Sequence, residues 1–260
     1  MSQVYTYEVR DGIAWVVLNR PEQINAINDE LRRGIIDSIE RAEADANVRV
    51  VVLMGSGTRG FCAGADINEA RAPETPAEAR RRLERHSYID AIAQCSKPTI
   101  AAIHGVCMGG GFEIALACDI RIAASDALFA LPETGLGLIP GGGGTQRLPR
   151  VIGLGRALDL MLTGERIDAA EALRIGAVSR LVADSGQLAA EAEKVAQKIA
   201  AKPPIASTYA KEAARSGFDM DIRSGLQLER TLFTVLLSTE DRREAVAAFK
   251  EKRRPRFSGR

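Results

Sequence analysis

The sequence predicts an α/β fold followed by a helical C-terminal region. In its central part, short apolar runs alternate with glycine-rich loops and helical patterns, which is typical of strands joined by crossover helices. After about residue 185 only amphipathic helical patterns follow. The chain of 260 residues is long for one domain and leaves room for a sizeable core.

Turn, cap and periodicity signals predict the N-terminal elements. Asp11-Gly12 separates two strand patterns and predicts a tight hairpin. Asn28 or Asp29 can cap a helix that continues to about residue 44. Strands are predicted at residues 4–10, 13–18, 48–54 and 99–103, and the last two are almost wholly apolar, as in strands buried on both faces.

Glycines and prolines mark the later helices. The three glycines at residues 109–111 open a helix that continues to about Cys118. Pro203-Pro204 begins the second of four C-terminal helices. These four are predicted at residues 185–201, from residue 203, at 222–237 and at 242–252.

Composition indicates a soluble, cytoplasmic protein. The net charge of +1 favours no particular class of partner. The four cysteines have no metal-binding spacing and are expected to be reduced core residues, although Cys62, in a glycine-bounded loop, could lie near a ligand. The N-terminus is polar, and no run of eighteen or more apolar residues occurs, so neither a targeting segment nor a membrane span is expected.

Two loops that follow strands carry candidate binding groups. The loop at residues 60–66 is built of small residues, so a ligand can approach its backbone N–H groups. The first N–H groups of a helix have no partner within it, and the N–H of Gly110 therefore suits a developing oxyanion. Glu113 lies three residues on, on roughly the same helix face. A plain glycine turn and a surface glutamate are the alternatives.

Glu133 is the second candidate carboxylate. Its stretch, residues 131–140, fits neither helix nor strand and precedes four glycines. Long ordered loops are usually functional, and apolar neighbours should raise the pKa of Glu133, although a solvent-facing loop glutamate is the alternative. Two carboxylates that face each other can hold a water, one accepting and the other donating a proton. Adding water to a polarised carbon–carbon double bond needs both operations.

Several motifs follow one another along nearly the whole chain. They are Asn19-Arg20-Pro21 with Asn25-Ala26, Phe61-Cys62-Ala63-Gly64-Ala65-Asp66, Lys97-Pro98-Thr99-Ile100-Ala101-Ala102-Ile103-His104-Gly105, Gly109-Gly110-Gly111-Phe112-Glu113, Pro132-Glu133, Gly142-Gly143-Gly144-Thr145-Gln146-Arg147-Leu148 and Leu162-Thr163-Gly164. In this order and spacing they resemble the crotonase (enoyl-CoA hydratase/isomerase) superfamily. The resemblance implies a crotonase-like spiral of ββα units with the CoA and catalytic site in residues 1–195, and a helical trimerisation region in residues 196–260.

The resemblance also implies an activity and a catalytic site. The expected reaction is the reversible hydration of a 2-enoyl-CoA to a 3-hydroxyacyl-CoA, as in fatty acid β-oxidation. Glu113 would orient and deprotonate the water, and Glu133 would protonate C2. The backbone N–H groups of Ala65 and Gly110 would hold the thioester carbonyl, while Asp66 would order its loop.

Binding partners follow from the same resemblance. The backbone around Ala63, Ala65 and Ile67 would bind the adenine end of CoA, and Lys252 is the candidate for a CoA phosphate. It lies in a basic end that also contains Lys250, Arg253 and Arg254. A homotrimer or a homohexamer (a dimer of trimers) is expected, with no nucleic acid or membrane as partner. Acyl-CoA is the substrate, and no metal or redox cofactor is expected.

Other functions stay open at this point. A Δ3,Δ2-enoyl-CoA isomerase needs only one base, and many such members lack one of the two glutamates. A specialised hydratase of a cyclic or branched enoyl-CoA would differ in its pocket wall, expected at residues 70–85. A non-catalytic or RNA-binding protein could use the basic end, which lacks interleaved aromatic residues. A nucleophile built from His104 and Cys107 lacks an evident orienting carboxylate, and His86 is expected to be exposed.

Overall fold

The structure is a computed structural model that describes residues 3–69, 73–85 and 87–260, without the side chains of residues 82–85. The predicted pocket wall at residues 70–85 lies partly outside the described residues, and His86, expected to be exposed, lies wholly outside them.

The described residues form ten strands and eleven α-helices. The strands are β1 (Tyr5–Arg10), β2 (Ile13–Leu18), β3 (Val50–Gly55), β4 (Gly60–Cys62), β5 (Thr99–Ile103), β6 (Val106–Met108), β7 (Ile120–Ala124), β8 (Leu128–Ala130), β9 (Ile167–Asp168) and β10 (Arg180–Val182). The helices are α1 (Asp29–Ala44), α2 (Pro76–Arg85), α3 (Tyr88–Gln94), α4 (Gly110–Ala117), α5 (Gly144–Ile152), α6 (Leu154–Thr163), α7 (Ala169–Arg174), α8 (Leu188–Ala200), α9 (Pro204–Phe218), α10 (Ile222–Leu237) and α11 (Glu240–Lys250). Among them, no helix is long and apolar enough to cross a membrane.

From β3 to β8, successive strands alternate between two sheets. The larger sheet has the order β1-β2-β3-β5-β7-β10 and is parallel except for the β1–β2 hairpin. The smaller sheet has the order β4-β6-β8-β9 and is parallel except for β8 and β9. The strand pairs β3–β4, β5–β6 and β7–β8 each contribute one strand to each sheet, and one or more helices follow each pair. This is the spiral of ββα units that the motifs imply.

The predicted elements form with small differences. The strands at 13–18 and 99–103 and the helix at 222–237 form as predicted. The last helix begins two residues early, at Glu240, because the Thr239 hydroxyl accepts a hydrogen bond from the N–H of Arg242 (3.1 Å) and caps it. The loop at 131–140 contains one turn of 3₁₀ helix, Glu133–Leu136. The proposed division between residues 195 and 196 falls within α8, and it stays a prediction.

The N-terminal turn and cap follow the predicted chemistry. Asp11 and Gly12 both have positive φ (51° and 75°), as a type I′ hairpin requires. The Asn28 side chain accepts a hydrogen bond from the N–H of Leu31 (2.9 Å) and caps α1.

The core lies on both faces of the larger sheet. On one face, residues such as Trp15, Val52 and Ile100 pack against α8. On the other face, the alternate residues, Val16 and Leu53 among them, join a larger cluster that includes α1 and α4. Burial on both faces explains the nearly continuous apolar runs in the sequence.

Helix α4 passes unusually close to the end of β4. A β-carbon on Gly111 would lie 2.3 Å from the Cys62 carbonyl oxygen and 2.7 Å from the Cys62 β-carbon. Because part of this obstacle is backbone, it cannot swing aside as a side chain would. Glycine at 111 therefore sets how closely α4 approaches the loop that follows β4.

We expect Gly111→Ala to lower the free energy of unfolding by about 1–3 kcal/mol, because the added methyl group forces α4 away from β4. Gly155→Ala is the matched control, since a β-carbon there meets nothing within 4 Å in helix α6. This control should raise stability by about 0.4–1 kcal/mol. Thermal melts at one protein concentration measure both, and equal effects of the two substitutions would contradict the close approach.

Candidate active site

Glu113 is buried in the first turn of α4 and is fixed by backbone donors. It is 4% exposed. Its Oε1 accepts hydrogen bonds from the N–H groups of Gly142 (2.7 Å) and Gly144 (2.8 Å). Its Oε2 accepts none within the described part of the chain. One carboxylate oxygen is thus anchored, and the other is left for a ligand.

The glycines around Glu113 are required by space. A β-carbon on Gly142 would lie 2.5 Å from Glu113 Oε2, and one on Gly144 would lie 3.1 Å from Oε1. A side chain at position 142 would therefore displace the carboxylate. The glycine run that the sequence shows before Thr145 forms the wall that receives Glu113.

Glu133 lies against the start of the same helix. A β-carbon on Gly109, the residue before α4, would lie 3.1 Å from Glu133 Oε1. Glu133 Oε2 is buried, and no described protein group donates to it. A buried carboxylate oxygen without a partner is costly, which marks this atom as a candidate to contact substrate or water.

Burial raises the pKa of both carboxyl groups, and different neighbours then act on each of them. At Glu113 the N–H groups of Gly144 and Gly142 and the charge of Arg147 oppose the effect of burial. At Glu133 its own N–H opposes burial, but the negative charge of Glu113 raises the pKa further. The predicted rise at Glu133 is therefore confirmed, and Glu113 has more groups that favour its ionised form.

Two backbone N–H groups face the same region beside the glutamates. Gly110 is the first residue of α4, and a β-carbon on it would lie 3.7 Å from the nitrogen of Ala65. A β-carbon on Gly64 would lie 3.2 Å from the nitrogen of Gly110. Among the described residues, neither N–H donates to another protein group. The structure thus brings both predicted oxyanion donors together, and a side chain at residue 110 would also crowd Ile27 Cδ1 and the hydroxyl of Tyr88, each 3.2 Å from its β-carbon.

Asn25 and Arg20 form the contacts that fix the loop containing Ala65. The buried Asn25 side chain accepts from the N–H of Arg20 (2.9 Å) and donates to the carbonyl of Gly60 (3.0 Å). The Arg20 guanidinium forms an ion pair with Asp66 (2.9 Å). Asp66 therefore ties its loop to the Asn19-Arg20-Pro21 motif, as expected for an ordering residue.

The predicted CoA-binding positions lie on the surface near this loop and at the C-terminus. Ile67 is 81% exposed, whereas the N–H of Ala63 already donates to the carbonyl of Ile24 (2.9 Å). Lys252 follows α11 with a left-handed φ of 56°. Its neighbour Arg253 is bound by both oxygens of Glu244 (2.6 and 2.8 Å). Binding of CoA by Ala63, Ala65, Ile67 or Lys252 stays a prediction.

The cysteines are unsuited to nucleophilic chemistry. All four are buried and free, and burial raises the pKa of Cys62 to about 12. Burial also raises the pKa of Cys107 well above its ordinary range. His104 is buried, and its Nε2 lies 3.0 Å from the carbonyl oxygen of Gly57. A thiolate at Cys107 is thus disfavoured, which argues against the Cys/His pair.

Sequence reasoning missed the groups that hold Glu113. The N–H donors at Gly142 and Gly144 come from a glycine run whose function the sequence left open. The signal was a run of glycines just before a helix, where free N–H groups occur. Its pairing with a carboxylate about 30 residues earlier depends on tertiary structure.

Comparison with known proteins shows the family of the chain. Residues 8–260 match the family described as Enoyl-CoA hydratase/isomerase. The chain is 41% identical over 247 residues to the short-chain-enoyl-CoA hydratase of Clostridium acetobutylicum, covering 95% of this chain and 94% of that protein. It is 42% identical over 254 residues to the (E)-benzylidenesuccinyl-CoA hydratase of Thauera aromatica, covering 98% of each.

Solved structures show the same fold. The crystal structure of an enoyl-CoA hydratase from Bacillus anthracis matches with a TM-score of 0.94 and 41% identity, covering 99% of this chain and 100% of that one. The fold inferred from the motifs, a crotonase-like spiral, is confirmed by this match. The chain belongs to the enoyl-CoA hydratase/isomerase family, the crotonase superfamily that its motifs resemble.

Proposed function

We propose that the protein hydrates a 2-enoyl-CoA reversibly to a 3-hydroxyacyl-CoA. One observation carries the proposal: the buried Glu113 and the half-buried Glu133 flank the start of α4, the first anchored through a single oxygen and the second with a buried oxygen that no described protein group bonds. Hydration needs one carboxylate that takes a proton from water and another that gives a proton to carbon. The names of the relatives, which include a short-chain-enoyl-CoA hydratase, support this reaction.

The oxyanion donors would polarise the substrate. The thioester carbonyl would accept from the N–H groups of Ala65 and Gly110, and negative charge would grow on its oxygen as water attacks C3. A preorganised donor of this kind typically contributes about 10²–10³ in rate. The position of Gly110 at a helix N-terminus adds the favourable helix dipole.

The two glutamates would divide the proton transfers. Glu113, which the N–H groups of Gly142 and Gly144 help to keep ionised, would take a proton through Oε2 as the water oxygen bonds to C3. Glu133, whose pKa is raised by burial and by the charge of Glu113, would deliver its proton to C2. A proton passed from Glu113 to Glu133 restores the pair, so the net change is the addition of one water.

The alternatives within the family are supported less well. An isomerase needs only one base, whereas here two carboxylates, one buried and one half-buried, lie beside the start of α4. The acyl group is a separate question, because relatives with 41% and 42% identity carry names with quite different substrates. Specialised hydration of another enoyl-CoA therefore stays a second candidate within the same chemistry.

A nucleic-acid-binding function is disfavoured by the C-terminal end. Asp241 accepts from the N–H groups of Ser258 (2.7 Å) and Gly259 (2.9 Å), and Glu244 binds Arg253. The basic end is thus held to α11 by carboxylates that neutralise part of its charge.

We further propose a homotrimer or a homohexamer. Helix α10 buries none of its residues in the single chain, and it exposes large apolar side chains: Ile222, Leu226, Phe233, Val235 and Leu237. Exposed apolar surface of this kind marks an interface. Light scattering should give three or six times the chain mass of 27.9 kDa. A cytoplasmic location and a function in β-oxidation stay predictions.

The first test of hydration follows the loss of the conjugated enoyl-thioester absorbance of crotonyl-CoA. Glu113→Gln and Glu133→Gln should each lower kcat by about 10²-fold or more, since each removes a proton-transfer group. Glu40→Gln, an exposed position on α1, is the control. Full activity in either site variant would show that its glutamate is not the proton-transfer group.

The second test uses stability against pH. A carboxyl group whose pKa is raised in the folded state stabilises the fold while protonated and loses that contribution as pH rises through the folded pKa. Burial raises the pKa of Glu133. The Tm gain of Glu133→Gln over wild type should therefore be near zero around pH 4 and grow as pH rises. A gain that shrinks with rising pH would identify Glu133 as a stabilised carboxylate rather than an acid.

The third test concerns Lys252. A non-glycine residue with left-handed φ costs about 1 kcal/mol, so Lys252→Gly should raise the free energy of unfolding by about that amount. If its charge contacts a CoA phosphate, Kd for CoA should rise about 2–5-fold. Lys250→Ala, at the end of α11, is the binding control. Higher stability with an unchanged Kd for CoA would show that Lys252 ends the helix but does not contact a CoA phosphate.

A further inference from the structure

Arg147 lies on the far side of the turn that holds Glu113. Its side chain folds back over the start of α5, where Nη1 donates to the carbonyl oxygen of Gly142 (2.9 Å). A β-carbon on Gly143 would lie 1.9 Å from Nη1. Gly143 also has a φ of 103°, which favours glycine. The guanidinium thus occupies the space that a side chain at 143 would need.

The turn Gly142–Gly144 is therefore bonded both by the carboxylate of Glu113 and by the guanidinium of Arg147. On one side, the N–H groups of Gly142 and Gly144 bind Glu113 Oε1. On the other side, Arg147 binds the carbonyl of Gly142, which belongs to the peptide unit between these two donors. Moving that peptide unit would move both N–H groups.

Helix α3 contributes a carboxylate that pairs with the Arg147 guanidinium. Asp90 Oδ1 lies 3.3 Å from Arg147 Nη2. Ile89, the preceding residue, packs against the same turn, because a β-carbon on Gly142 would lie 2.2 Å from its Cδ1. Arg147 is only 26% exposed in its side chain, so solvent screens its charge incompletely.

The charged and titratable groups around Glu113 come from three described elements. Glu133 comes from the 3₁₀ turn, Arg147 from α5, and Tyr88 and Asp90 from α3; the hydroxyl of Tyr88 lies near Gly110, and Asp90 faces Arg147. Arg147 is the cation of this group. Its charge lowers the pKa of Glu113, against the larger opposite effect of burial.

We propose that Arg147 is a positioning residue for Glu113, fixing through the Gly142 carbonyl the two peptide N–H groups that aim the carboxylate. Its charge also favours the ionised form of Glu113. The proposal rests on the proposed function, because aiming Glu113 matters to catalysis only if Glu113 is the base. Arg147 itself touches neither water nor substrate in this role.

The test compares Arg147→Gln, Arg147→Lys and Arg150→Gln. Arg150 lies on the same helix and binds Asp219 (3.3 Å), so its substitution removes the same charge away from Glu113. In Arg147→Gln we expect kcat for crotonyl-CoA to fall about 10–100-fold with KM nearly unchanged. The acid limb of kcat/KM should move to higher pH, since Glu113 loses the cation that favours ionisation.

Arg147→Lys separates charge from geometry. Lysine keeps the charge but cannot bond both Gly142 and Asp90 as the planar guanidinium does. Its acid limb should stay near that of wild type, with kcat between those of wild type and Arg147→Gln. Two outcomes would overturn the proposal. In the first, the acid limb of kcat/KM in Arg147→Gln stays where it is in Arg150→Gln. In the second, Arg147→Gln and Arg147→Lys shift the acid limb equally.

A double-mutant cycle gives a readout that needs no activity. The Tm values of wild type, Arg147→Gln, Glu113→Gln and the double variant should show coupling at pH 8 that weakens toward pH 4, where Glu113 becomes neutral. The same cycle with Arg150→Gln should show none. If wild type hydrates no enoyl-CoA, the proposed function fails, and coupling in the cycle still supports the contact of Arg147 with the Glu113 turn. Absence of coupling rejects that contact whatever the activity.

Discussion

The approach of helix α4 to the Cys62 carbonyl is the constraint on which the site depends. Since residue 111 can carry no side chain, the first turn of α4 comes against the end of β4 and the loop after it. This contact brings the N–H of Gly110 beside that of Ala65, although the two residues are 45 positions apart in the chain. The proposed oxyanion site thus depends on how two ββα units pack, rather than on either unit alone.

The same packing buries a carboxylate, and the glycine turn makes that burial tolerable. An ionised group in the interior is costly unless donors surround it. Glu113 receives two N–H bonds on one oxygen, and Arg147 adds a positive charge behind the turn. Glu133 has only its own backbone N–H to favour its ionised form, and the negative charge of Glu113 disfavours that form. Two chemically identical side chains therefore lie in different electrostatic surroundings, as the proposed division into base and acid requires.

In the C-terminal quarter the last residues are hydrogen-bonded to α11, whereas α10 has an exposed apolar face. Carboxylates of α11 bind the final residues, while α10 leaves its apolar side chains exposed. A helix with such a face is stable when another surface covers it. Assembly of several chains would supply that cover.

About half of the strands and helices, and the two candidate glutamates, could be predicted from the amino-acid sequence alone. Alternation, caps and turn residues are local, so β2, β5, the Asp11-Gly12 hairpin and α10 could be predicted from neighbouring residues alone. The order of the motifs further indicated the spiral fold and the oxyanion donors. The groups that bind Glu113, and the place of Arg147 behind them, follow from the three-dimensional fold and not from any local pattern. Those contacts join residues about 30 positions apart, and their geometry depends on a glycine turn whose conformation no local pattern specifies.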